Sequence, residues 1–428
     1  MSNNPDEFSA VAITDSQLVP WPRVAAVAAM VAFSLPTFIT GLEVSQGLTP
    51  AGAVWALILG SLIVLMIGAI MGSIGSNSRM SSYLLVRIAF GDKGAGLVNI
   101  AFAISLIGWF GVNINLFNDA VSRLALQVWG RELPELGLAI FASICMTVTT
   151  VIGFRAINIL ATLLVPVLAV VTFLFANSAL KAHSFGQIMA TERSATISVG
   201  EGISAIVGAI IIGAIILPDI TRFLKHWSGA VYTSIFTYFI VQIFVMGAAA
   251  MAGAVSGETD ILNIMIDLNL GIGAFLIVIC SSWVLNSLNL YSAILGVKAT
   301  FPKLGSTWLA VGLGAVGVFA ALMNLLDNFI PFLIFLSDIF IPVAGVIIVD
   351  ALIMRRADYK IETLLTNRTF NWPGLTAWFI AAGSALLISN GLMGGVSGVT
   401  SIDAIVLAAC VYAVLTYIDR RRQSGVSS

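Results

Sequence analysis

Charge is what this chain lacks most. Only 10% of its 428 residues are Asp, Glu, Lys or Arg, while 59% are hydrophobic. A soluble domain carries about 25% charged residues, so a water-exposed surface of ordinary extent is excluded for most of the chain. The 20 basic and 21 acidic residues nearly cancel, at a net charge of −1, which makes nucleic acid an unexpected partner. Cysteine is scarce as well. Cys145, Cys280 and Cys410 all sit inside apolar runs at no motif spacing, so neither a disulfide nor a metal site is expected. Phosphate loops, nucleophile elbows and zinc spacings are missing too, so the sequence reads as neither an enzyme nor a cofactor protein. Residues 1–22 lack the basic start and apolar stretch of a signal peptide and read as a cytoplasmic tail.

What is present is apolar sequence from end to end, with a mean hydropathy of +1.03. Runs of about 20 apolar residues are long enough to cross a bilayer as helices. About twelve are expected, near 24–46, 51–75, 95–119, 137–155, 158–177, 197–217, 229–253, 270–293, 306–323, 329–353, 372–390 and 402–418. The fold class is therefore an all-α polytopic membrane protein. With the N-terminus inside, the outer loops hold only Arg123, Arg131, Lys181 and Arg193, and every other loop or tail cation falls inside. The positive-inside rule then places both termini in the cytoplasm.

The first span, VAFSLPTFITGLEVSQGLTP over 31–50, has a fault in its middle. Pro36 lacks an N–H and should release the Ala32 carbonyl. In lipid, a freed carbonyl must be buried in protein or line a watery cavity. The stretch is thus either a candidate ligand site, with Ser34 at the break, or a plain proline kink. The sixth span has Gly208, Gly213 and Pro218. The two are offset by five spans, and an odd offset means opposite insertion. Two interrupted helices at matching places suggest an inverted repeat with substrate between the breaks. Glycines that only let helices pack closely are the other reading.

Polar residues at depth narrow the choice. Trp109 and Asn113 lie four apart on one face of the third span, where a ring could stack on the indole and hydrogen-bond to the amide. Asn113 as glue between helices is the alternative. Ser282, Asn286 and Asn289 line one face of the eighth span, as ligand contacts or as interhelical bonds. Asp219 and Asp350 are expected to pair with Arg222 and Arg355. Asp338 lies within the tenth span and is a candidate proton carrier or a structural acid, with Glu43 second. A tight cluster of His, Asp or Glu suited to intramembrane catalysis is missing, and so is a continuous polar pore. A secondary transporter fits best.

Four strings in order, GSNSRMSSYLLVRIAFGDKG (75–94), IGWFGV (107–112), PDITRF (218–223) and IPVAGVIIVDALIMRR (341–356), resemble the nucleobase–cation symporter-1 family. The resemblance implies a LeuT-like 5+5 inverted repeat with two extra C-terminal helices. The boundaries would be a ten-helix core over 23–356, two further helices over 357–418 and a cytoplasmic tail over 419–428. It implies alternating access, and import of cytosine or a related nucleobase with a coupled cation across a bacterial inner membrane, by a monomer. The alternatives are another planar heterocycle (hydantoin, allantoin, purine or vitamin-like) or an uncoupled facilitator. In cytosine-transporting members a third-span Trp, matching Trp109, and a sixth-span Phe sandwich the base. That Phe falls on Ile210 here, a contacting Gln falls on Leu106 and a contacting Ser on Ile212. The expected substrate contacts are Ser34, Trp109, Asn113, Ile210, Ile212, Asn286 and Asn289. Where the family uses sodium, the matching groups are the carbonyls of Met30 and Phe33, with Ser281. Two hydroxyl positions of that site fall on Val284 and Leu285, which favours a proton carried by Asp338 or Glu43 over sodium.

Overall fold

The computed structural model describes residues 13–426 except 14, 257, 259, 269 and 324–328. The elements are α1 (Trp21–Ala32), α2 (Leu35–Gly47), α3 (Pro50–Ser78), α4 (Ser82–Phe90), α5 (Gly94–Trp129), α6 (Glu135–Ile152), α7 (Phe154–Ala182), α8 (Phe185–Met189), α9 (Val199–Ile215) and α10 (Pro218–Thr221). There follow α11 (Trp227–Ser234), a π-helical stretch (Ile235–Val241), α12 (Gln242–Ser256), α13 (Ile261–Asp267), α14 (Gly271–Thr300), α15 (Ser306–Ala321), α16 (Phe329–Val349), α17 (Trp372–Ser389) and α18 (Thr400–Val426). Helix is the expected solution in lipid, where each backbone group must find its partner within the protein.

Each expected span meets a helix at the expected place, but the count of twelve is approximate. Among the described residues, ten helices are long and apolar enough to cross a membrane, and the bent pair α1–α2 makes an eleventh. The expected ninth span is α15, which at 16 residues reaches about 24 Å. This is a multi-pass membrane protein.

The fault in the first span lies earlier than Pro36. Helix α1 ends at Ala32, Phe33 and Ser34 leave the helix, and α2 sets off at 51° to α1. Pro36 sits in the first turn of α2, where a missing N–H costs nothing. The sixth span differs from the expected matching interruption. It runs over 199–221 with no comparable bend, closing α9 at Ile215 and restarting at Pro218. Gly208 serves packing, since a Cβ there would lie 1.8 Å from the Leu333 carbonyl oxygen of α16.

The packing has the symmetry of two five-span halves. Helix α3 packs on α9, and shifted by five spans this becomes α2 on α12. The pair α1·α7 becomes α9·α16, α6·α14 becomes α15·α5, and the central pair α5·α14 maps onto itself. The α2–α12 contact is close because Gly41 has no Cβ; one would lie 2.5 Å from the Met246 carbonyl oxygen.

Helices α17 and α18 pack on each other and on α16. A buried polar junction fastens them to the core. Asp350 takes Arg355 in an ion pair and accepts the hydroxyls of Tyr412 (2.6 Å) and Tyr359 (2.9 Å). Burial, then the adjacent Asp350 carboxylate, hold the Tyr359 phenol well above its usual range, so it stays a neutral donor. Arg355 also donates to the Ile88 carbonyl, and Asn371 Nδ2 donates to Tyr412 at 3.2 Å.

Candidate functional site

The break in the first span forms one wall of a narrow cavity. Helix α1 ends without a conventional cap, so its last carbonyls need other donors. Val31 is served by side chains, Ser34 Oγ at 2.7 Å and Thr37 Oγ1 at 3.0 Å. Among the described residues, the carbonyls of Met30 and Phe33 meet no donor. Ser34, Pro36 and Thr37 line the cavity from this side.

Trp109 of α5 faces them. It is buried and held on edge by Phe329 and Phe332 of α16, with ring centroids 6.3 Å and 5.5 Å away. Leu106, one turn earlier, also lines the cavity, as do Ile210 and Ile212 of α9 and Asn289 of α14. Sequence reasoning thus finds five cavity residues among its substrate contacts: Ser34, Trp109, Ile210, Ile212 and Asn289. Asn113 and Asn286 are outside the lining. Asn113 Nδ2 turns back to the Trp109 carbonyl at 2.8 Å. Asn286 Nδ2 reaches the Phe110 carbonyl at 2.9 Å, which makes it a link between α14 and α5.

Four polar wall residues were not expected as contacts: Thr37, Asp219, Tyr238 and Ser292. Asp219 accepts from the Ser82 N–H (2.9 Å), the Ser82 hydroxyl (2.7 Å) and the Ser292 hydroxyl (2.9 Å). The expected pairing with Arg222 runs instead through the main chain. Arg222 Nε donates to the Asp219 backbone carbonyl at 3.1 Å and Nη2 to the Tyr291 hydroxyl at 2.9 Å. Tyr238 belongs to the π-helical stretch, whose register a 3.6-residue period cannot place. The aliphatic share of the wall is large, with Val31, Ile216, Leu217, Leu285 and Leu288 beside the two isoleucines of α9.

The candidate coupling residues fall in two places. Ser281 is fully buried on α14, and its hydroxyl and that of Ser282 have no hydrogen-bond partner among the described residues. Val284 is buried one turn on, and Leu285 faces the cavity. Asp338 and Glu43 instead line a second, wider cavity with Glu201 and Ser389, by the end of α2 and the start of α9. Asp338 is buried beside the Ser389 hydroxyl, which acts on its carboxylate, and it forms no ion pair among the described residues.

A membrane bundle of two interleaved five-helix halves, with a cavity at a broken first span, is the build of a secondary transporter. Residues 25–421 match the model of a family described as permease for cytosine/purines, uracil, thiamine, allantoin. The chain belongs to that family, and it is a permease rather than an enzyme. It is 28% identical over 397 residues to the cytosine permease of Escherichia coli strain K12, covering 90% of this chain and 88% of the relative.

Solved structures agree on the fold. Mhp1, a nucleobase-cation-symport-1 family transporter, in a closed conformation with bromovinylhydantoin bound, superposes with a TM-score of 0.79 at 18% identity, covering 94% of each chain. Inward-facing Mhp1 gives 0.80 at 18% identity, over 96% of this chain and 93% of that one. A Na+-coupled sialic acid symporter gives 0.68 at 12% identity, over 94% and 90%. The family expected from the four sequence strings is thus the one found.

Proposed function

We propose that this permease imports a planar heterocycle, cytosine or a related nucleobase among the options, by alternating access across a bacterial inner membrane, with both termini in the cytoplasm. The observation that carries the reading is Trp109, presented to a narrow cavity at the break of the first span. An indole face in a water-poor slot suits a flat ring. The cytosine permease relative and the hydantoin-bound Mhp1 support a heterocyclic substrate. Ile210 and Ile212 leave one wall aliphatic, which suits a hydantoin or another ring with a hydrocarbon flank as well as a bare base. A thermal-shift screen of the purified protein against cytosine, uracil, hydantoin, allantoin and thiamine tests this. A ligand that binds only the folded state raises the melting temperature. If no planar heterocycle raises it, the reading falls.

The coupled ion in this reading is a proton, carried by Asp338 with Glu43 in the same cavity. A buried carboxylate with no ion-pair partner among the described residues is costly as an anion, and uptake of a proton or a cation relieves that cost. Sodium is the second reading. The unserved carbonyls of Met30 and Phe33 and the unpartnered Ser281 hydroxyl favour it. Val284 and Leu285 count against it, because they offer no oxygen. The protein acts as a monomer in this reading, since one chain holds the whole cavity.

A further inference from the structure

Most polar groups in the wall of the Trp109 cavity are already used by the protein. The hydroxyls of Ser34 and Thr37 both serve the Val31 carbonyl. The Ser292 hydroxyl serves Asp219, whose carboxylate is filled by three donors. Among the wall groups left over are Asn289 Nδ2, buried with no partner among the described residues, and the Tyr238 hydroxyl, which lies by Gly213 of α9 and for which no hydrogen bond to a described residue is found.

Tyr238 is also held rigidly. It is 1% exposed and sits in the middle of the π-helical stretch Ile235–Val241. Single π turns inside α-helices recur at functional sites because the extra residue re-aims the side chains that follow. Its ring lies against Gly68 of α3, where a Cβ would come within 2.5 Å of Cε2. Its hydroxyl lies by Gly213 of α9, 3.8 Å from where a Cβ would be. Two glycines from different helices thus make room for one tyrosine. A fixed ring with an unused hydroxyl is a pre-organised donor, because little side-chain freedom is left to lose when a ligand binds.

We propose that Tyr238 is a specificity-determining residue of this cavity. Its hydroxyl donates to a ring carbonyl of the substrate, while the unpartnered Asn289 Nδ2 donates to a neighbouring acceptor on the same ring edge. The substrate class is then a flat ring with a carbonyl and a neighbouring acceptor on one edge. This rests on the heterocycle reading above and adds which residue reads the edge.

The test uses the full chain in detergent and Tyr238→Phe, which keeps the ring and removes only the hydroxyl. The tightest binder among cytosine, uracil, hydantoin and allantoin is paired with its analogue lacking the ring carbonyl. Tyr238→Phe is expected to weaken the first roughly two- to tenfold, as for one lost neutral hydrogen bond, and to leave the carbonyl-free analogue unchanged. The ligand-free melting temperature is expected to hold within a degree or two or to rise. Equal affinity of wild type and Tyr238→Phe for every ring overturns the proposal and leaves the heterocycle reading standing. So does an equal loss for both members of the pair, which marks a packing role. Failure of the wild type to bind any of the four rings overturns both.

Discussion

The Ser82 hydroxyl donates to Asp219 at 2.7 Å, and the Ser82 N–H reaches the same carboxylate oxygen at 2.9 Å. Ser292 takes the other oxygen. One buried carboxylate thereby ties α4, α10 and α14 together at one end of the substrate cavity. In the alternating-access reading proposed above, opening of that end would break the junction. Asp219→Ala leaves three buried donors unpaired, and each such group costs about 1–3 kcal/mol. Ser292→Ala removes a single bond, worth about 1 kcal/mol. The melting temperature is expected to fall much further for Asp219→Ala than for Ser292→Ala. Equal small shifts would mean that the carboxylate is not the centre of the junction.

Trp109 and Asn113 should separate under mutation. Trp109→Ala removes a stacking face worth about 1–3 kcal/mol per base in nucleic-acid binders, and the affinity for the heterocycle should fall at least fivefold. Asn113 lies outside the cavity lining, and its Nδ2 is committed to the Trp109 carbonyl. Asn113→Ala is therefore expected to keep the affinity within about threefold of wild type. Titration by intrinsic fluorescence or calorimetry checks the pair. A large loss in Asn113→Ala would place that amide in contact with the ligand after all.

Asp338 lies apart from the Trp109 cavity, so the two sites should respond independently. Asp338→Asn is expected to bind the heterocycle with near wild-type affinity but to lose accumulation driven by a pH gradient. Uptake into proteoliposomes at inside pH 8 and outside pH 6 measures this. Retained accumulation would pass the carrier role to another acid, with Glu43 the next candidate.

Orientation follows from the positive-inside bias. In a background without Cys145, Cys280 and Cys410, cysteine placed at the exposed Gly394, between α17 and α18, should react with an impermeant maleimide added outside whole cells. Cysteine at the exposed Lys303, between α14 and α15, should react only after lysis. The opposite pattern would invert the assignment.

Hydropathy made the spans legible, because lipid allows few solutions besides a long apolar helix. The break in the first span was legible from Pro36, although the proline sits inside the restarted helix and the gap is at Phe33 and Ser34. Of the two readings open for the glycines of the sixth span, Gly208 takes the packing one, because it marks a close approach of α16, and sequence alone does not distinguish a packing glycine from a hinge. Helical spacing paired Trp109 with Asn113, yet only Trp109 lines the cavity, because the Asn113 Nδ2 turns back to the carbonyl one turn earlier on its own helix. Tyr238 was not legible, because the π-helical stretch shifts the register that any 3.6-residue reading assumes. Arg222 beside Asp219 was legible from its place three residues on, whereas Ser82 and Ser292, which fill the carboxylate, are 137 and 73 residues away in sequence.

The central claim is coupled import of a heterocycle through the Trp109 cavity. It is tested most directly by accumulation of the radiolabelled ring selected in the thermal-shift screen, in proteoliposomes of wild type and Trp109→Ala under separately imposed proton and sodium gradients. The expected result is wild-type accumulation above the outside concentration with the proton gradient alone, abolished by a protonophore and by Trp109→Ala, and unaffected by sodium. Uptake that never exceeds equilibration under either gradient would contradict the claim and leave a facilitator. Accumulation driven by sodium at equal pH would instead assign the ion to the Met30, Phe33 and Ser281 oxygens.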